Sequence, residues 1–162
     1  MIPDVLAARY ASAELVRLWS PEHKVVLERE LWLAVLRAQA DLGVPVGQRV
    51  LDDYQRVVSA VDLESIAVRE RVTRHDVKAR IEEFAALAGF EQIPKGMTSR
   101  DPTANVEQVP PRSALGIVRP KTLAVPAPLG RRARHYSAPR AAGPSPTVPA
   151  PAAPTRTHLP AP

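Results

Sequence analysis

The sequence predicts an all-α fold for residues 1–108, followed by a proline-rich tail over residues 109–162. Within residues 1–108, capping residues precede apolar stripes and glycines follow them, which is the punctuation of helices. Apolar residues recur there at helical spacing, and no segment alternates as a half-buried strand does. The tail holds 13 of the 18 prolines. Because proline removes a backbone donor and clashes with the preceding helical turn, we expect no helix in the tail.

The longest predicted helix begins at Pro21 and runs to about Asp41. Ser20 is placed to cap it, Pro21 suits the first helical position, and Gly43 suits the position after its end. Its apolar stripe is wide enough to require a partner helix. Shorter helices are predicted at 12–19, 46–58, 62–72 and 76–89.

Charge divides the chain at the same place. All 17 acidic residues and 14 of the 22 Lys and Arg lie in residues 1–108, giving that part a net charge of −3. The tail has 8 basic residues and no acid. It also lacks the bulky apolar residues that would offset the entropy of folding. We therefore expect one helical domain, 1–108, and a basic tail, 109–162, that is disordered.

Composition also excludes several classes of protein. The chain has no cysteine, so disulfides, thiolate catalysis and thiolate zinc sites are excluded. Asp4 and Arg9 interrupt the start of the chain, which does not resemble a signal peptide. No stretch approaches the 18 or more apolar residues of a membrane span. The expected compartment is the cytoplasm, with no membrane partner.

Two groups of polar residues in the first 80 positions are candidates for binding anions. Arg9 and Tyr10 place a guanidinium beside a phenol, which suits a phosphate or carboxylate. An exposed arginine beside a packed tyrosine fits the same spacing. Arg74, His75 and Asp76 lie at a predicted helix start, where free N–H groups attract anions. A capping Asp76 with an incidental histidine is the alternative.

Two further groups lie later in the chain. Thr98 and Ser99 follow a glycine and precede a helix, so their hydroxyls can hold a carboxylate or simply cap the helix. The arginines at positions 131, 132 and 134 form a basic segment for which solvation is the simplest interpretation.

Four segments, in order, resemble one family. They are ARYAS (8–12), WSPEHKVVLERELWLAVLRAQADLG (19–43), VTRHDVKARIEEF (72–84) and KGMTSRDPTANVEQ (95–108). Together they resemble the N-terminal domain of adenylosuccinate lyase, a member of the fumarase/aspartase superfamily. The resemblance covers essentially residues 1–108, and TRHDVKA with KGMTSRD is specific for this lyase within the superfamily.

The resemblance implies an enzyme of purine biosynthesis. Members β-eliminate fumarate from adenylosuccinate, giving AMP, and from the succinylated aminoimidazole-carboxamide nucleotide, with a general base and a general acid and without metal or organic cofactor. By matching motifs, Arg9 and Tyr10 would hold the substrate phosphate. Arg74, His75 and Asp76 would line the nucleotide and succinyl region, with His75 a polar or proton-handling contact. Thr98 and Ser99 would bind a succinyl carboxylate.

The tail departs from this family. Residues 142–151, AGPSPTVPAP, resemble a family loop, AGRSHNVPAQ, whose histidine is a catalytic acid/base residue, and Pro146 takes that histidine's position. The tail is therefore interpreted as a degenerate form of the family's segment in a truncated chain. Because the family builds its sites in a homotetramer around a central helical bundle, we expect this chain to be inactive alone and not to form that tetramer.

A second function remains open from composition. A non-catalytic helical module with a basic, proline-rich tail could bind nucleic acid or a polyproline-recognising partner. The tail has one aromatic residue, Tyr136, which gives little base stacking, so no specific nucleic acid is expected.

Overall fold

The computed structural model of the chain describes residues 4–138, 140–142 and 152–154, and most of these residues are helical. The helices are α1 (Val5–Tyr10), α2 (Ala13–Leu18), α3 (Pro21–Asp41), α4 (Gln48–Val57), α5 (Leu63–Thr73), α6 (Asp76–Ala88), α7 (Arg100–Val106), α8 (Val109–Ala124) and α9 (Pro126–His135). Two short strands, β1 (Arg140–Ala142) and β2 (Ala152–Pro154), pair antiparallel. The all-α class is confirmed, with this strand pair as an addition within the described residues.

The helix boundaries follow the capping residues. The Ser20 hydroxyl accepts a hydrogen bond from the His23 N–H at 3.1 Å, and Asp62 caps α5 in the same way. Gly43 and Gly89 follow the ends of α3 and α6 with φ of +92° and +78°, a region in which other residues are strained. The predicted ends of α3 and α6 are therefore confirmed.

The chain divides into two units, Met1–Ala114 and Leu115–Pro162. In the first unit α3 packs against α4 and α7, and α6 packs against α4 and α5. The centre of this unit contains Trp32, Tyr54 and Phe84, each at most 1% exposed. The Tyr54 and Phe84 rings meet edge to face, with their centroids 4.9 Å apart. The wide apolar face of α3 thus finds its partner in α4, α6 and α7.

A buried arginine ties this helical unit together. The Arg29 guanidinium, on α3, pairs with the Glu83 carboxylate on α6, and both side chains are excluded from solvent. Arg29 also donates to the carbonyl oxygens of Val57 and Val58 at 2.8 and 3.0 Å, where α4 ends. The second oxygen of Glu83 accepts the N–H of Asp62 at 3.1 Å, just before α5. One ion pair therefore contacts four helices or their ends.

The expectation that the tail forms no helix is wrong for residues 109–135, which form α8 and α9. The prediction was based on how many prolines the tail contains. Whether a helix forms depends instead on where in the helix each proline lies. Four prolines lie in the first turn of a helix, where the backbone N–H has no partner within the helix. Those four are Pro110, Pro111, Pro126 and Pro128, and Pro120 alone lies inside a helix. Most of the remaining segment predicted to be disordered, including Pro146, lies outside the described residues.

Within the described residues, no helix is long and apolar enough to cross a membrane.

Candidate functional site

An open cleft of about 850 Å³ lies along α6 and the loop that follows it. We call it the His75 cleft. Its lining residues are Arg69, His75, Val77, Lys78, Ile81, Glu82, Ala85, Ala86, Gly89, Phe90, Glu91, Ile93, Pro94 and Ser99. The set combines an apolar floor with an imidazole, a hydroxyl, two cations and two carboxylates. Two of the residues predicted to bind substrate, His75 and Ser99, therefore line the same cleft.

His75 occupies the N-cap position of α6. Its Nδ1 accepts the Lys78 N–H at 3.3 Å, and its own N–H donates to the Thr73 hydroxyl at 3.4 Å. The Thr73 hydroxyl in turn donates to the His75 carbonyl oxygen at 3.1 Å. Because Nδ1 serves as an acceptor, the neutral ring carries its hydrogen on Nε2. The alternative in which Asp76 caps α6 is wrong, since Asp76 is the first helical residue.

Arg74 and Asp76 flank His75 without lining its cleft. Arg74 has φ of +54°, the left-handed conformation, and lines a separate depression with Ala67, Glu70 and Arg71. The Asp76 carboxylate accepts from Arg80 at 2.9 Å. Partial burial opposes ionisation of Asp76, but hydrogen bonds from the Val77 N–H and from Arg80 outweigh it and lower its pKa. Asp76 is thus an ionised partner of an arginine beside the cleft.

Thr98 and Ser99 differ in what their hydroxyls contact. The Thr98 hydroxyl and N–H both donate to the Asp101 carboxylate, at 3.2 and 2.7 Å. The Ser99 hydroxyl makes no capping hydrogen bond, although α7 begins at the next residue. Ser99 is therefore the better placed of the two to donate a hydrogen bond to a ligand in the cleft.

Arg9 and Tyr10 lie in the last turn of α1. The first predicted helix began at residue 12, and this is corrected: α1 comes before it and includes both residues, because the Asp4 carboxylate caps α1 by accepting from the Leu6 N–H at 2.7 Å. Tyr10 is 77% exposed, and Arg9 is also exposed. Neither residue lines the His75 cleft, so the structure does not bring them to His75 and Ser99.

Sequence reasoning missed two cations of the cleft, Arg69 and Lys78. Lys78 lies in the TRHDVKA motif, three residues after His75, so helical spacing could have identified it. Arg69 carried no such signal, because it comes from α5 and meets the cleft only through packing. The arginines at 131, 132 and 134 are exposed on α9, in the second unit.

The arrangement can bind an anion and handle one proton. Arg69, Lys78 and the Ser99 hydroxyl can donate to carboxylate or phosphate oxygens, and His75 offers a ring hydrogen on Nε2. The described residues contain no group of three or more acidic or histidine side chains placed to hold a metal ion. The fold and cleft define an all-α protein with a cleft beside a capping histidine, lined by hydrogen-bond donors that suit an anion.

Comparison with known proteins identifies the family. The chain is 32% identical over 119 residues to adenylosuccinate lyase of Schistosoma mansoni, covering 72% of the chain and 25% of that enzyme. It is 35% identical over 125 residues to adenylosuccinate lyase of Schizosaccharomyces pombe, covering 74% of the chain and 26% of that enzyme. No family model matches the chain. The chain belongs to the adenylosuccinate lyase family and spans about a quarter of the length of these curated relatives.

The similarity extends into the proline-rich segment. A match to adenylosuccinate lyase of Saccharomyces cerevisiae, 31% identical over 138 residues, covers 81% of the chain and 28% of that enzyme. A share of 81% of 162 residues is about 131 residues, more than the 108 on which the sequence resemblance rested. Part of the segment after Gln108 therefore also aligns with the family.

Proposed function

We propose that the chain supplies nucleotide- and succinyl-binding residues of an adenylosuccinate lyase site in cytoplasmic purine biosynthesis. The substrates would be adenylosuccinate and the succinylated aminoimidazole-carboxamide nucleotide, each losing fumarate by β-elimination. The observation that carries the proposal is the presence of His75 and Ser99 in one cleft with Lys78 and Arg69. Anionic groups at both ends of these substrates require such donors.

The proposed roles differ among the predicted residues. Ser99, whose hydroxyl is not used in capping, would donate to a succinyl carboxylate, while Thr98 would position the turn through Asp101. His75 would contact the substrate through the hydrogen on Nε2. Arg74 and Asp76 would support the helix start beside the cleft. Arg9 and Tyr10 would hold the phosphate, a role that requires an approach to the cleft from α1.

We further propose that this polypeptide does not complete the elimination alone. The reaction needs a base for the carbon-bound proton and an acid for the departing nitrogen. Among the described residues that line the cleft, His75 is the one histidine. Pro146, at the position that resembles the family's catalytic histidine, has no exchangeable proton. We also expect no homotetramer of the kind formed by the family.

Binding and turnover measurements test this function separately. Calorimetry with the full chain should show binding of adenylosuccinate and of AMP, and an absorbance assay should show no fumarate release. Because AMP lacks the succinyl group, Ser99→Ala should weaken adenylosuccinate binding about tenfold, the factor that loss of one hydrogen bond to a charged group carries, and leave AMP binding unchanged. Ser59→Ala, at an exposed serine after α4, is the matched control. Equal weakening of both ligands by Ser99→Ala would contradict the assignment, and turnover would contradict the inactivity.

The competing function is binding of polyanions by the second part of the chain. No acidic residue follows Glu107, and Arg131, Arg132 and Arg134 are exposed on one short helix. Such a surface would bind nucleic acid through release of counterions, with steep salt dependence. Titration with single-stranded DNA at two salt concentrations decides between the nucleic-acid function and the lyase function. Binding that survives physiological salt would favour the nucleic-acid function, and binding lost there would favour the lyase function.

A further inference from the structure

Glu28 is a buried carboxylate that the proposed function does not use. It lies on α3, is 0% exposed, and forms an ion pair with Arg80 of α6. Among the described residues, neither Glu28 oxygen has an aligned hydrogen-bond partner. Burial raises the pKa of Glu28, although the charges of Arg80 and Lys24 oppose the shift. A carboxylate in this environment depends on its one close cation, so the position of Arg80 is strongly constrained.

Arg80 connects Glu28 to the start of α6. Its Nε faces Glu28, and its Nη2 donates to Asp76 Oδ2 at 2.9 Å. The planar guanidinium can hold carboxylates from two helices at the same time, which a lysine ammonium cannot do in the same geometry. Fixing Arg80 from α3 therefore also fixes the Asp76 side chain.

Asp76 in turn faces His75. Its other oxygen, Oδ1, lies 3.6 Å from His75 Nδ1, the atom that also accepts the Lys78 N–H. Because Nδ1 already accepts the Lys78 N–H, the Asp76 carboxylate makes no hydrogen bond to the neutral ring and limits its rotation by occupying the space beside Nδ1. The ring lines the cleft. A continuous series of contacts runs from the buried α3 carboxylate to the imidazole.

We propose that Glu28 is a positioning residue that fixes the His75 imidazole in its cleft through Arg80 and Asp76. The proposal rests on the proposed function, because it gives a role to a residue behind the same cleft. The alternative is a purely structural ion pair that joins α3 to α6. Glu83 provides the matched control, since it is equally buried on α6 but pairs with Arg29.

The test uses the full chain with Glu28→Gln and Glu83→Gln. Both variants should lower stability to urea, because each removes the buried carboxylate charge of an ion pair between α3 and α6. The positioning readout is the set of His75 imidazole signals in a ¹H–¹³C NMR spectrum, assigned by their loss in His75→Gln among the chain's 4 histidines. Glu28→Gln should move these signals and weaken adenylosuccinate binding about tenfold, whereas Glu83→Gln should do neither.

Arg80→Lys keeps the proposal testable if Glu28→Gln does not fold. It retains the positive charge but cannot make both contacts, so it should also move the His75 signals. Unmoved His75 signals in the folded Glu28→Gln or Arg80→Lys variant, or equal shifts in Glu83→Gln, would refute positioning. If the wild-type chain does not bind adenylosuccinate, the proposed function fails, but the NMR comparison still decides whether Glu28 positions His75.

Discussion

Substitution of Tyr54 by phenylalanine tests how the core supports the cleft. Tyr54 is fully buried, its hydroxyl donates to the Phe90 carbonyl oxygen, and it accepts the Gln92 N–H at 3.2 Å. Phe90 lines the His75 cleft, so one core hydroxyl holds the loop at the cleft's edge. Tyr54→Phe removes both hydrogen bonds and leaves the ring packing against Phe84 unchanged.

The expected loss is about 2 kcal/mol of unfolding free energy. Each hydrogen bond contributes about 1 kcal/mol net, and a partner left dry and unpaired costs up to about 3 kcal/mol. Phe90 and Gln92 are half-buried, so water can partly replace the hydroxyl and the lower value applies. Urea unfolding followed by circular dichroism measures the change. Hydrogen exchange of the Gln92 amide should also become faster, by a factor that corresponds to a similar free energy.

Tyr10→Phe is the matched control for this substitution. The Tyr10 side chain is 77% exposed, so loss of its hydroxyl should leave stability unchanged. If Tyr54→Phe also changes the unfolding free energy by less than about 0.5 kcal/mol, the hydroxyl does not hold the loop, and the reasoning is wrong.

Alkaline pH gives a second measure of the same group. Burial raises the pKa of Tyr54 above its ordinary value of 10.0, against smaller effects of the backbone hydrogen bonds. The folded chain therefore keeps this proton to higher pH than the unfolded chain does. The resulting stabilisation is complete below the unfolded value and is lost as pH rises above it. Wild-type stability should fall more steeply above pH 10 than that of Tyr54→Phe, and parallel curves would contradict the assignment.

Three further substitutions test the helix ends. Arg74→Gly should be about 1 kcal/mol more stable than Arg74→Ala in urea, because glycine accepts the left-handed backbone conformation at no steric cost, and equal stabilities would argue against strain there. Because the pKa of Asp76 is lowered in the folded chain, its ionised carboxylate stabilises the fold at pH values above the unfolded pKa near 3.8, and this stabilisation is lost as pH falls below that value. Asp76→Asn should therefore be less stable than wild type at neutral pH and equally stable in acid. A difference in unfolding free energy that does not change with pH would contradict this. Ser20→Ala should cost about 1 kcal/mol through loss of the α3 cap, whereas Ser12→Ala, where no cap bond forms, should cost less, and equal costs would refute the capping argument.

Local sequence signals determined the helices that begin and end at capping residues. Ser20 caps α3 as predicted, Gly43 follows its end as predicted, and Asp62 caps α5 at the start of the predicted 62–72 helix, because a cap depends on residues only a few positions apart. The helices α8 and α9 were missed because the proline content of the whole tail was weighed instead of the position of each proline. Pro126 starts α9 for the same reason that Pro21 starts α3.

The site was predictable only where its residues are close in sequence. His75 was identified from its motif, and Lys78 could have been identified in the same way, because it lies in that motif. The pairing of Glu28 with Arg80 joins two helices far apart in the chain, and a charged residue on a helix normally indicates a solvent-facing position. No local pattern distinguishes such a buried carboxylate from an exposed one, so the contacts behind His75 required the structure.

The Arg29 contacts have a consequence for how the first unit unfolds. The guanidinium and its Glu83 partner lie 54 residues apart, and the contacts reach the end of α4 and the residue before α5. A partly open form with α6 detached would leave an unpaired arginine in an apolar interior, which is unfavourable by several kcal/mol. The population of such a form should therefore be very small. We expect helices α3 to α6 to unfold together in a single step, as one foldon.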